Sequence, residues 1–356
     1  MHKIIGSTLA AAIALTLTAC IDDKDYVADV PAPTIPAELA VSGSGIKGTL
    51  VSALVEVFDS ANLNLVLAST QTDANGDYMI TLTDATRASI TGSFVVRLSA
   101  DADTTMICDA PACGDLVRGD VVPASELGGL ELSTISYADG SGTISAKMNA
   151  ITTLATETLL AVAASNSDLD MSDPATLMEL QEDASRIIGA AFGLDLSETN
   201  IFDVSIVDAS VSADVSTTDS IAATLTLINA ALSGLDTETG ETLSSAFEAY
   251  IDAVTFVTNA ISQDPAAEFS AETLAAMEEI NTVQAEIAQA IIDLAADIGM
   301  DTGVPVETEE VPAEIDPQDI AGAADEDDNI TGATGGTGGT GGTGGTGAGG
   351  DGGTGG

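Results

Sequence analysis

Polar and apolar positions follow a period of two through the first third of the chain and a period of three to four through its middle and later parts. From Val41 to about Ala100 the pattern is that of strands. Ile46 to Leu50 leads into the β-branched run Leu54-Val55-Glu56-Val57-Phe58, and Leu63 to Leu67 forms a second apolar run. Asn75-Gly76 is a strong hairpin-turn signal, and Tyr78, Ile80 and Leu82 alternate after it as a half-buried strand does. Gly92-Ser93 marks another turn before Phe94 to Leu98, and short strands around Val121-Val122 and Leu130 to Tyr137 either extend the same body or form a linking hairpin. At Thr143 the spacing changes. Ile144, Met148, Ile151, Leu154 and Leu159 recur mostly at steps of three or four. Asp173-Pro174 starts a second helix that ends near Gly193. A third runs from Thr217 to Leu232, and a fourth from Glu241 to Ile261 before the break at Pro265. The last is capped by Ser270, carries Leu274, Met277, Ile280, Val283, Ile287, Ile291, Leu294 and Ile298, and ends at Gly299. The pattern predicts an α+β multidomain chain: an antiparallel β-sandwich over 41–142, then an all-α helical domain over 143–300.

The strand region carries a resemblance. Gly45-Ile46-Lys47-Gly48, Ala53 to Val57 and Thr72-Asp73-Ala74-Asn75-Gly76-Asp77-Tyr78 resemble the carboxypeptidase regulatory-like domains, which are transthyretin-like sandwiches with an Ig-like arrangement of strands. The resemblance covers about residues 41–101. It implies a stalk, spacer or binding module and no peptidase activity. Thr152-Thr153-Leu154-Ala155 and Phe192-Gly193-Leu194 are similar to segments that follow such sandwiches in bacterial envelope lipoproteins.

The N-terminus reads as an address. Met1-His2-Lys3 is a short basic stretch, and the apolar run from Ile4 to Ala19 is shorter than the roughly 20 residues a spanning helix needs. The run closes on Leu17-Thr18-Ala19-Cys20, which resembles the lipobox of bacterial lipoproteins. That resemblance implies removal of residues 1–19 and lipidation of Cys20, with palmitate among the acyl chains. Ile21, in place of the Asp that often retains such proteins at the inner membrane, resembles an outer-membrane address, and Asp22, Asp23 and Asp25 resemble a surface-export signal or a solvated tether. Pro31, Pro33 and Pro36 make 20–40 a semi-rigid acidic spacer. At the other end, 301–356 reads as a disordered tail, acidic first and then Gly/Thr-rich; residues 331–356 hold 16 Gly and 7 Thr, too little apolar surface to bury.

Composition acts mostly by exclusion. Against 8 Lys and Arg stand 56 Asp and Glu, a formal charge of −48. Such a field repels phosphate backbones, which excludes nucleic acid as a partner, and it opposes docking on anionic headgroups, so contact with the membrane falls to the N-terminal lipid. The acid excess itself reads either as adaptation to a salty environment or as a surface for cations or a basic partner. Cleavage before Cys20 leaves 337 residues (356 − 19), seven basic residues and no His, since His2 is lost. Imidazole-based hydrolysis and His/Cys zinc sites fall with it, and no Gly-Lys-Ser/Thr phosphate loop occurs. Asp73 to Asp77 resembles the start of a calcium loop, yet position twelve is Asp84 and not Glu, so a β-turn is the better reading. Cys108 and Cys113 lie close in sequence; in an oxidising compartment such a pair forms a disulfide whose short loop contributes about 2 kcal/mol. The expectation is therefore a lipid-anchored, non-catalytic envelope protein acting in adhesion, scaffolding or binding, with a protein or glycan partner. It has no catalytic, cofactor or metal residues. A periplasm-facing binder of a sugar or apolar ligand and a carboxylate-only hydrolase are the alternatives.

Overall fold

The computed structural model describes residues 38–83, 92–138, 142–166, 169–235, 242–263 and 269–325. Contacts divide the chain into residues 1–35 and 36–356, and all described residues belong to the second unit. The signal segment, Cys20, most of the spacer and the Gly/Thr tail lie outside the described residues.

Among the described residues thirteen strands form four sheets. β1 (Leu39–Ile46) turns into β2 (Leu50–Val51), and β3 (Leu54–Asp59) pairs antiparallel with β4 (Asn62–Gln71). The turn at Asn75-Gly76 is present: the Asp73 carboxylate accepts from the amides of Asn75 and Asp77, and the chain enters β5 (Asp77–Leu82). β5 buries Tyr78, Ile80 and Leu82 and exposes the residues between them, as its alternation predicts. β6 (Ser93–Ser99), β7 (Thr105–Ile107), β8 (Ala112–Cys113), β9 (Leu116–Val117) and β10 (Val121–Pro123) lead to α1 (Ala124–Leu127) and β11 (Glu131–Tyr137). β11-β6-β3-β4 form one antiparallel sheet, β10-β7-β2 a second, and β8-β9 a short hairpin. β1 organises the fourth. It pairs antiparallel with β5 and parallel with β12 (Thr143–Ser145) and β13 (Met148–Asn149).

This pairing corrects the reading of residues 143–149 as helix. Ile144 and Met148 are four apart, a spacing compatible with both periods, and both are buried as strand residues. The helical pattern begins one residue after β13. Asn149 caps α2 (Ala150–Ser165) by accepting from the Thr152 amide, while the Thr152 hydroxyl takes the Asn149 amide, a capping box. α3 (Pro174–Ala191) opens on the Asp173 cap and the first-turn proline. A single turn, α4 (Ser212–Val215), precedes α5 (Ser220–Ala231), which buries every residue from Ala222 to Ala231 and is thus the central helix. α6 (Leu243–Gln263) and α7 (Ala271–Thr302) follow. Ser270 caps α7 as its sequence predicts, but Gly299 does not end it. Ile298 is buried, so the last turn packs, and Gly303 supplies the left-handed stop at φ +70°.

The remaining correction concerns the chain ends. Leu39, assigned to the spacer, is fully buried in β1. Of the residues assigned to the disordered tail, 301–302 continue α7 and 303–325 form a strap that ends in α8 (Pro317–Asp325), seated on α3 and α6. Ile315 and Ile320 are buried there. The backbone of Ile315 exchanges two hydrogen bonds with the Asn281 side chain, and Thr224 Oγ1 accepts from the Glu309 amide. Gln284, fully buried on α7, donates from Nε2 to the carbonyls of Phe192 (3.1 Å) and Pro312 (3.0 Å). Sheets and helices also share a core: Thr152 and Thr153 hydrogen-bond the backbone of Ser133 on β11, and Gln181 donates to Ile135 O. One continuous apolar cluster runs from Leu39 to Ala321. The position 142/143 therefore separates two sequence patterns within one compact unit.

Candidate functional site

Two fully buried ionisable side chains lie where the β1–β2 turn meets the Cys loop and the helices. β1 must reverse after Ile46, and Gly48 makes the turn at φ +64°, in the left-handed region that glycine adopts without strain. A Cβ there would stand 1.8 Å from Ile107 O. The same turn points the Gly48 amide at Asp109 Oδ2, which accepts it at 2.7 Å. Asp109 sits inside the loop closed by Cys108 and Cys113, whose sulfurs stand at bonding distance with Cα atoms 5.9 Å apart. The Cys108 backbone is fixed further by its amide to Asp120 O and by the Gly119 amide to its carbonyl.

Lys47 and Asp109 are both fully buried. Lys47 Nζ lies 3.5 Å from the centroid of the Phe247 ring on α6 and makes no hydrogen bond; Asp109 Oδ1 makes none either. Burial pulls the Lys47 amine down to about 7, opposed by the charge of Asp109. Burial also pushes Asp109 up to about 7, and the neighbouring Asp208 adds to the rise. The Gly48 amide, the Ser233 hydroxyl and Lys47 oppose it. The two shifts agree in sense. A charge costs heavily in this interior, so burial moves each group toward its neutral form. Asp208 itself accepts a hydrogen bond from the Thr49 hydroxyl.

A cleft of about 520 Å³ opens between the β3–β4 turn and the end of α2. Leu63, Leu160, Ala163 and Met171 contribute its apolar lining, and Ser60 and Asp170 its polar lining. Asp109 feels the charge of the half-buried Asp208, and the expectation of a non-catalytic chain singled out neither carboxylate. Of the expected site residues, Cys108 and Cys113 are brought together, and Cys20 lies outside the described residues. Among the described residues no group of three His, Cys, Asp or Glu side chains is placed to hold a metal ion, and no helix is long and apolar enough to cross a membrane.

The Lys47–Asp109 pair went unrecognised in the sequence. Lys47 falls between two apolar stretches, where a lone base reads as a turn residue, and nothing local announces a carboxylate arriving from a distant loop. The only available signal was the scarcity of bases in the chain. Comparisons with protein-family models, with curated proteins and with solved structures each yield no match.

Proposed function

We propose that this chain is a lipid-anchored bacterial envelope protein: Cys20 carries the acyl chains, and residues 38–325 form a non-catalytic module for adhesion, scaffolding or binding. The observation that carries this reading is Leu17-Thr18-Ala19-Cys20 at the end of the apolar run that follows Met1-His2-Lys3. The physics of attachment supports it. A chain of formal charge −48 gains nothing from anionic headgroups, so attachment has to come from buried hydrocarbon. One acyl chain holds a protein only marginally, whereas two or more on one cysteine hold it stably. The sheet β11-β6-β3-β4 and the sheet around β1 are read as the two layers of a transthyretin-like sandwich, with the helices packed on it. Ile21 directs the protein to the outer membrane, and the spacer carries the folded body away from the bilayer.

The test is fractionation of cells that express the full chain or its Cys20→Ala variant, with protease added to intact cells. The wild-type chain partitions with outer membranes and Cys20→Ala does not. Equal membrane partitioning of the two chains overturns the anchor. Cleavage of the body on intact cells places it on the outer face, and protection places it in the periplasm.

A further inference from the structure

We propose that Lys47 and Asp109 are the two ends of an intramolecular amide cross-link. Lys47 Nζ attacks Asp109 Cγ, the Nζ–Cγ bond forms and the Cγ–OH bond breaks. One amine proton leaves with that hydroxyl as a single molecule of water. No oxidant, cofactor or third reactant is needed.

Three observations carry this. First, both side chains are fully buried, Asp109 is hydrogen-bonded to the residue that follows Lys47, and each side chain retains a polar atom with no hydrogen-bond partner. A buried ion pair kept for stability would satisfy those atoms against each other, because an unpartnered buried charge is the costly outcome. Second, the Phe247 ring lies over Nζ and keeps water from it. The Gly48 amide meanwhile holds one carboxyl oxygen and leaves the other free. Third, the protonation states suit condensation. The free amine is the nucleophile and the neutral acid the electrophile, and the surroundings favour both forms, with Asp208 opposing ionisation of Asp109.

In the unreacted arrangement Nζ rests on the aromatic ring, and the flexible four-carbon stem of Lys47 supplies the rotation that brings it to Cγ. Confinement replaces the bimolecular encounter that makes this reaction slow in water. The product would bind the β1–β2 turn covalently to the Cys108–Cys113 loop, bracing the strand that joins the body to its spacer.

Peptide mapping of the purified full chain after reduction, alkylation and trypsin digestion tests this. An acylated Lys47 resists trypsin. The cross-linked protein gives residues 25–87 uncut at Lys47 and joined to residues 98–118, at a mass one water below the sum. In Lys47→Arg and in Asp109→Ala the joined species disappears. Wild-type protein that yields the free peptide ending at Lys47, with residues 98–118 unattached, overturns the proposal. So does a one-water loss confined to the Asp109 peptide that persists in Lys47→Arg, which identifies a cyclic imide at Asp109-Ala110. The wild-type map decides the question even where a variant fails to fold.

Discussion

Replacing Gln284 with Met isolates the hydrogen bonds that hold the C-terminal strap. Gln284 is fully buried, and its Nε2 donates to Phe192 O at the end of α3 and to Pro312 O in the strap. Met matches its length and volume, so packing is nearly kept. The substitution leaves the buried Phe192 carbonyl without that donor, at about 1–3 kcal/mol, and the part-buried Pro312 carbonyl at less. It also removes Oε1, which has no hydrogen-bond partner, and so recovers part of the loss. The net expected destabilisation is about 2 kcal/mol. Urea unfolding of the full chain measures it as a lower midpoint at unchanged slope. Amide hydrogen exchange locates it, with faster exchange across residues 305–316 and little change in β3 or β6. A loss below about 0.5 kcal/mol, or a loss with no faster exchange in the strap, refutes the reasoning and returns 303–325 to the status of a tail.

Two further outcomes follow from particular contacts. Burial raises the Glu157 carboxyl above its ordinary 4.5, against the opposing pull of the Arg97 charge and the Ser133 hydrogen bond. The folded state therefore holds the proton more tightly than the unfolded chain, and stability falls as pH rises from 4.5 through the elevated value. Glu157→Gln, a mimic of the neutral acid, is then the more stable protein at pH 7 and loses that advantage below pH 4.5; parallel unfolding curves across that range sink the idea. Gly48→Ala meets Ile107 O at 1.8 Å and carries a left-handed backbone, so it costs about 3 kcal/mol or more in thermal unfolding, and a shift worth less than about 1 kcal/mol contradicts the turn as described.

Legibility in the sequence depended on whether a segment's burial was recorded in its own periodicity. β5 and α7 were readable because Tyr78, Ile80 and Leu82, or Met277, Ile280, Ile287 and Ile291, all face the core at the period of their element. Leu274 is the exception on α7: it continues the spacing, yet it is exposed. The strap was unreadable for the opposite reason. Its few apolar residues stand among acids, and much of what fixes it comes from Asn281, Gln284 and Thr224 on other elements. The parallel pairing of β1 with β12 and β13 was equally hidden. Ser42-Gly43-Ser44-Gly45 has no strand-forming composition, and its partners lie about a hundred residues away. Separation in sequence also hid the Lys47–Asp109 pair and the Phe247 ring, which come from the β1–β2 turn, the Cys loop and α6.

The central claim is the lipid on Cys20, and the direct measurement is metabolic labelling with an alkyne analogue of palmitate, followed by mass spectrometry of the mature N-terminal peptide. Label is expected in the wild-type chain and none in Cys20→Ala, with a mature chain that begins at an acylated Cys20. An unlabelled wild-type protein, or a mature N-terminus at any residue other than Cys20, contradicts it.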